Sequence, residues 1–177
     1  RAACIVWFAG CNMRCSYCYN PDIVFGKGKL DFENILNFLK SRIGLLDGVV
    51  LSGGECTIHK NIIPFIEEIK ALGFIVKIDT NGSKPTIIKK LIEQKLIDYA
   101  ALDFKSLPTN FESITQSDLF AEFEESLTLL MNSSIPFEVR TTLHSALISR
   151  LDFLKMIHYL EKQNYQGNYY VQHFMNN

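Results

Sequence analysis

Six short apolar runs, rich in β-branched and aromatic residues, punctuate this chain: ACIVWFA, GVVLSGG, FIVKIDTNG, YAALDFK, PFEVRTTLH and YYVQHF. Each reads as a buried or half-buried strand. Stretches with helical spacing lie between most of them. LDFENILNFLKSRI places Leu30, Ile35, Leu36, Leu39 and Ile43 mainly on one face, and NIIPFIEEIKALG ends on Gly73, a suitable helix stop. PTIIKKLIEQKLI, LFAEFEESLTLLMN and RLDFLKMIHYLEKQN repeat the pattern. Such regular β–α alternation implies parallel strands joined by right-handed crossovers. Six units in 177 residues are too few for a complete barrel of eight. The expected fold class is α/β, a partial, open (β/α)6 TIM-type barrel of parallel strands. A flat doubly wound sheet shares the same beat, and the beat alone does not separate the two.

The chain is 47% hydrophobic and shows no linker, repeat or low-complexity tract, so residues 1–177 read as one domain with one core. It begins at Arg1, without a methionine and inside an apparent strand, which implies a truncated N-terminus. In either sheet arrangement, ligands gather at the C-terminal ends of the strands. That rule sorts the polar residues. Three cysteines follow strand one, SGGE ends strand two, DTNG ends strand three and DFK ends strand four; RTT lies along strand five and Gln172 on strand six. Apolar strands that finish in polar residues are costly unless a site lies there.

The three cysteines, Cys11, Cys15 and Cys18, stand in GCNMRCSYCYNP with the spacing C-x3-C-x2-C. With Cys4 and Cys56 the total is five, a poor disulfide framework, and reduced thiols in a cytoplasmic setting fit better. Thiolates favour zinc and iron–sulfur clusters. A closed zinc site usually has four protein ligands in separated pairs, and here Cys56 or His59 would have to supply the fourth. A 4Fe–4S cluster suits one tight loop better, because three corners are wrapped and one iron is left open to another ligand.

The motif CNMRCSYC resembles the C-x3-C-x-aromatic-C signature of the radical S-adenosylmethionine enzymes. With LSGGECTIH, IDTNGSKP and ALDFK following in order, the chain is most similar to the activating proteins of anaerobic ribonucleotide reductase. The activating enzymes of pyruvate formate-lyase are close behind. The resemblance runs from strand one to strand six. It implies that Cys11, Cys15 and Cys18 hold a 4Fe–4S cluster whose open iron is chelated by the amino and carboxylate groups of S-adenosylmethionine. One electron then breaks the sulfonium carbon–sulfur bond, giving methionine and a 5′-deoxyadenosyl radical that abstracts hydrogen.

By the same resemblance, Tyr17 lies near adenine, although a core aromatic is an equal reading. Ser52, Gly53, Gly54 and Glu55 receive the methionine amino group. Asp79, Thr80, Asn81 and Asp103 line the cofactor, and their two regions imply a monovalent cation site beside its carboxylate. Arg140 and Thr142 contact the methionine carboxylate or ribose, and Gln172 lies near adenine. Lys105 pairs with Asp103 or Asp79, or faces substrate; His144 and His173 are rim candidates. No residue is assigned a catalytic role. Tyr19 and Cys56 depart from the histidine and proline common in these activators, which loosens the substrate assignment.

Cys4 and Cys56 stand apart, so no auxiliary cluster is expected from this chain, and an external electron donor such as flavodoxin or ferredoxin is implied. The implied partner is a glycyl-radical enzyme. A small-molecule substrate and, in a different class, a non-catalytic zinc-binding module are the competing readings. A net charge of −1 without a basic stripe argues against nucleic acid as partner. Apolar runs far short of roughly 18 residues argue against a membrane span.

Overall fold

A computed structural model describes residues 1–174. Six parallel strands form one sheet in sequential order: β1 (Ala3–Phe8), β2 (Gly48–Gly53), β3 (Ile75–Thr80), β4 (Tyr99–Asp103), β5 (Phe137–Leu143) and β6 (Tyr169–His173). A doubly wound sheet would reverse its order at a switch point. Sequential order with crossovers of one hand instead puts the helices on one face and curls the sheet toward a barrel. The open barrel is therefore the fold.

The five helices expected from periodicity form, each shorter than its apolar pattern: α2 (Phe32–Lys40), α3 (Ile62–Ala71), α4 (Pro85–Glu93), α6 (Phe120–Met131) and α7 (Arg150–Lys162). Asp31 caps α2 by accepting from Asn34 N, and Ser149 with Asp152 forms a capping box on α7. Two further helices, α1 (Pro21–Phe25) and α5 (Pro108–Thr115), and a 3-10 turn at Cys56–Ile58 lie in stretches without a helical apolar stripe. α1 and α5 both start at a proline, which suits a first helical turn.

Strand alternation divides the sheet into two faces. Val76, Ile78 and Thr80 of β3 are buried on the helix side, where Leu51, Leu102 and Val139 join them in the core. The opposite residues, Lys77 and Asp79, face the barrel interior together with Ser52, Asp103 and Arg140, which the pairing of Asp103 with Arg140 sets side by side. The apolar core is thus outside the sheet, and the interior is free to be polar.

Candidate active site

The loop between β1 and α1 carries the three cysteines and is tied down by its backbone. Arg14 N donates to Thr115 O at 2.8 Å and Ser16 N to Ile114 O at 2.9 Å, so the loop hangs on the last carbonyls of α5. Such terminal carbonyls have no partner within their own helix. The Arg14 guanidinium closes the loop onto Cys11 O at 2.6 Å and Met13 O at 2.8 Å and lies over the Phe25 ring. Met13 is fully buried beneath it. The loop is thereby fixed by elements far away in sequence.

A cleft opens beside it at the C-terminal ends of the strands. Its walls include Cys11, Cys15, Cys18 and Tyr17 from the loop, Ser52, Gly53 and Gly54 from β2, and Asp79, Thr80 and Asn81 from β3. Asp103, Lys105, Arg140, Thr142 and Gln172 complete them from β4 to β6. Every cofactor-binding and metal residue expected from the sequence therefore meets here except Glu55, and the rim candidates His144 and His173 lie outside this wall. Met13, Asn20 and Val24 also line the cleft, and only their place beside the cysteines hinted at it.

Glu55 has a different position. It is fully buried, and its carboxylate accepts from Thr57 N (3.1 Å), Thr57 Oγ1 (2.6 Å), Thr80 Oγ1 (2.8 Å) and Asn81 N (2.7 Å). Burial pushes its carboxyl up, and these donors oppose the shift. The side chain clamps the end of β2 to the end of β3 and does not itself form part of the cleft wall. Of the SGGE motif, Ser52, Gly53 and Gly54 line the cleft itself.

Both glycines are required by close approach. Gly53 has φ +109°, and a Cβ there would lie 2.6 Å from Phe8 N; a Cβ on Gly54 would run into the Gly10 carbonyl. Gly54 N donates to Phe8 O at 2.8 Å and Glu55 N to Gly10 O at 2.9 Å, which seats SGGE directly against the entrance to the cysteine loop. Tyr17 is a core aromatic with one edge on the cleft, and its hydroxyl donates to Lys105 O at 3.2 Å.

Arg140 stands between the two aspartates, with Nη1 3.5 Å from Asp79 Oδ2 and Nη2 3.0 Å from Asp103 Oδ1. Lys105 Nζ lies 3.0 Å from Asp103 Oδ2, which decides its pairing. Burial works to raise the Asp103 carboxyl, but Lys105 and Arg140 outweigh it and hold it below the ordinary range. Burial likewise works against the Lys105 ammonium, yet Asp103 raises it. Thr142 donates weakly to Gln172 at 3.4 Å. His144 packs on Phe174 at 4.8 Å, outside the cleft wall.

The donor set decides what the cysteine loop can hold. All five cysteines are free, and burial foremost pushes the Cys11 and Cys15 thiols up, so a bound metal must draw off their protons. Among the described residues no three Cys, His, Asp or Glu side chains gather closely enough for a single metal ion. Cys56 is buried with its thiol toward Asp79 O, and His59 packs edge-on against Phe8; neither joins the triplet at the cleft. Three soft ligands spread around one cleft wall fit a multi-iron cluster rather than a lone zinc.

The Radical SAM superfamily profile matches residues 5–148, and the chain belongs to that family. Membership implies a 4Fe–4S cluster and S-adenosylmethionine as cofactors. A Methanocaldococcus jannaschii protein, assigned by inference as a glycyl-radical enzyme activating enzyme, is 41% identical over 107 residues, covering 59% of this chain and 44% of that protein. The pyruvate formate-lyase-activating enzyme of Clostridium pasteurianum is 36% identical over 85 residues, covering 44% of this chain and 36% of that enzyme. The chain thus spans less than half the length of either relative. Among solved structures, anSMEcpe with bound AdoMet superimposes with a TM-score of 0.80 over 99% of this chain and 52% of that one, at 17% identity, which shows the shared fold. Among the described residues no helix is long and apolar enough to cross a membrane.

Proposed function

We propose that this chain reductively cleaves S-adenosylmethionine and abstracts hydrogen from a glycine of a partner enzyme, with anaerobic ribonucleotide reductase as that partner. The observation that carries the reading is the convergence of three cysteines and a polar strand-end wall on one cleft. Cys11, Cys15 and Cys18 would hold the 4Fe–4S cluster, which supplies the electron that opens the sulfonium bond. The chain's own residues bind and orient. Ser52 and the Gly53–Gly54 backbone lie where an ammonium is received, and Arg140 with Lys105 where a carboxylate is. Tyr17, Thr142 and Gln172 border the space left for ribose and adenine.

Likeness to the Methanocaldococcus jannaschii protein supports the activase reading. Likeness to the pyruvate formate-lyase-activating enzyme favours a second partner of the same class. Free, partly buried thiols fit a reducing cytoplasm, and a flavodoxin or ferredoxin would deliver the electron.

Anaerobic reconstitution with iron and sulfide, followed by dithionite and S-adenosylmethionine, tests the chemistry. The expected product is 5′-deoxyadenosine, lost in Cys15→Ala together with bound iron. Protein that holds iron and sulfide yet forms none above the variant's background overturns the reading. Adding each candidate partner and recording the glycyl-radical electron paramagnetic resonance doublet then assigns the target.

A further inference from the structure

Three segments on neighbouring strands, KID (Lys77 to Asp79), DFK (Asp103 to Lys105) and EVR (Glu138 to Arg140), each carry opposite charges two residues apart. That spacing puts all six side chains on the interior face. The register sets Asp79 opposite Ala101, Ala101 opposite Glu138, and Asp103 opposite Arg140. The charges alternate in a continuous chain. Glu138 Oε1 is 3.3 Å from Lys77 Nζ, and Lys77 Nζ is 3.6 Å from Asp79 Oδ1. Arg140 joins Asp79 to Asp103, and Lys105 ends the series. Tyr99 donates to the other oxygen of Glu138 at 2.9 Å, and its ring lies under Lys77 at 5.4 Å. Three cations match three anions.

A monovalent cation needs oxygen ligands whose charge is not already spent. Here both oxygens of Asp103 accept from cationic nitrogens, and Asp79 Oδ2 accepts from Ser52 and faces Arg140. Asp79 Oδ1 has no hydrogen-bond partner, but its nearest charge is the Lys77 ammonium. At the aspartates a metal cation would meet Arg140 and Lys105 at close range, and their repulsion would offset the attraction of the two carboxylates.

We propose that Arg140, Lys105 and Lys77 take the place of the monovalent cation implied by resemblance, so that S-adenosylmethionine binds in this cleft without a metal cation. Lys77 and Glu138 lie outside the cleft wall and act as positioning residues. Lys77 covers the spare oxygen of Asp79, and Glu138 holds Lys77 there. The inference rests on the reading of the cleft as the S-adenosylmethionine site.

The test is equilibrium dialysis of labelled S-adenosylmethionine against the reconstituted protein in potassium, sodium or choline chloride at matched ionic strength. The three dissociation constants are expected to agree within about twofold, and tightening of about tenfold by potassium or sodium overturns the proposal. No binding in any salt overturns the reading of the cleft and this inference with it. Lys77→Met, checked for a native melting curve, is expected to acquire potassium-dependent binding, and Lys77→Arg to remove that dependence again. A folded Lys77→Met protein that binds equally in potassium and choline overturns the positioning role; Arg140→Met then tests the remaining cations in the same assay, and equal binding there overturns them too.

Discussion

Asp103 shows how single residues acquire meaning only through their partners. Its carboxylate is three-quarters buried and tolerable because Arg140 and Lys105 bracket it, with a side-chain exposure of 25%. Its folded carboxyl lies below the usual 3.8, so between that lowered value and 3.8 the native state binds fewer protons than the unfolded chain. The stabilisation is complete above that range and is lost as pH falls through the folded value. Asp103→Asn is therefore expected to cost about 1–3 kcal/mol at neutral pH in urea unfolding, with the gap to the natural protein narrowing below pH 3.8. An unchanged gap on acidification would assign the stabilisation to something other than this ion pair. Glu55 shows the opposite relation. The residue type suits a cofactor ammonium, but four donors hold it inside the protein, where it joins two strand ends. Tyr19, a departure from the activators' histidine, donates to His173 O at 2.9 Å and stacks on Phe174 at 4.6 Å, linking the cysteine loop to the last strand.

At the scale of elements, the tight join is between β2 and the start of the cysteine loop. Gly53 and Gly73 both adopt positive φ, +109° and +88°, but a Cβ on Gly73 would meet nothing within 4 Å, whereas one on Gly53 would strike Phe8. Gly73→Ala should thus cost only the conformational strain, about 1 kcal/mol, and Gly53→Ala about 3 kcal/mol or more because strands must separate. Denaturant midpoints of the two variants measure the difference; equal losses would show that β1 can yield. α5 carries the other join. Its sequence, PTNFESIT, has neither a long apolar stripe nor a side-chain cap, so periodicity does not find it. Its last carbonyls nevertheless hold Arg14 and Ser16, a relation across about a hundred residues that no local pattern encodes.

In the whole molecule, the apolar core lies between the sheet and its helices, while the cysteine loop and the polar cleft occupy the other side and one end. Cluster and fold are therefore separable. Removing iron with a chelator under anaerobic conditions is expected to leave the far-ultraviolet circular dichroism intact and to speed amide exchange in the cysteine loop; collapse of the spectrum would make the cluster part of the core. The sequence by itself determined the β–α beat, the parallel strands it implies and the cysteine triplet, because hydrophobic periodicity and a rare cysteine spacing are local and repeat or stand out in one dimension. It also placed the polar motifs at strand ends, since chain direction in a parallel sheet puts those ends together. Only the tertiary structure decided that the strands lie in sequential order and so form an open barrel, that Glu55 is bound to Thr80 and Asn81, that Lys105 pairs with Asp103, and that Lys77 and Glu138 extend the charge series. Those choices depend on which strands are neighbours and in what register, and the distances between charges on different strands follow from packing, not from spacing along the chain.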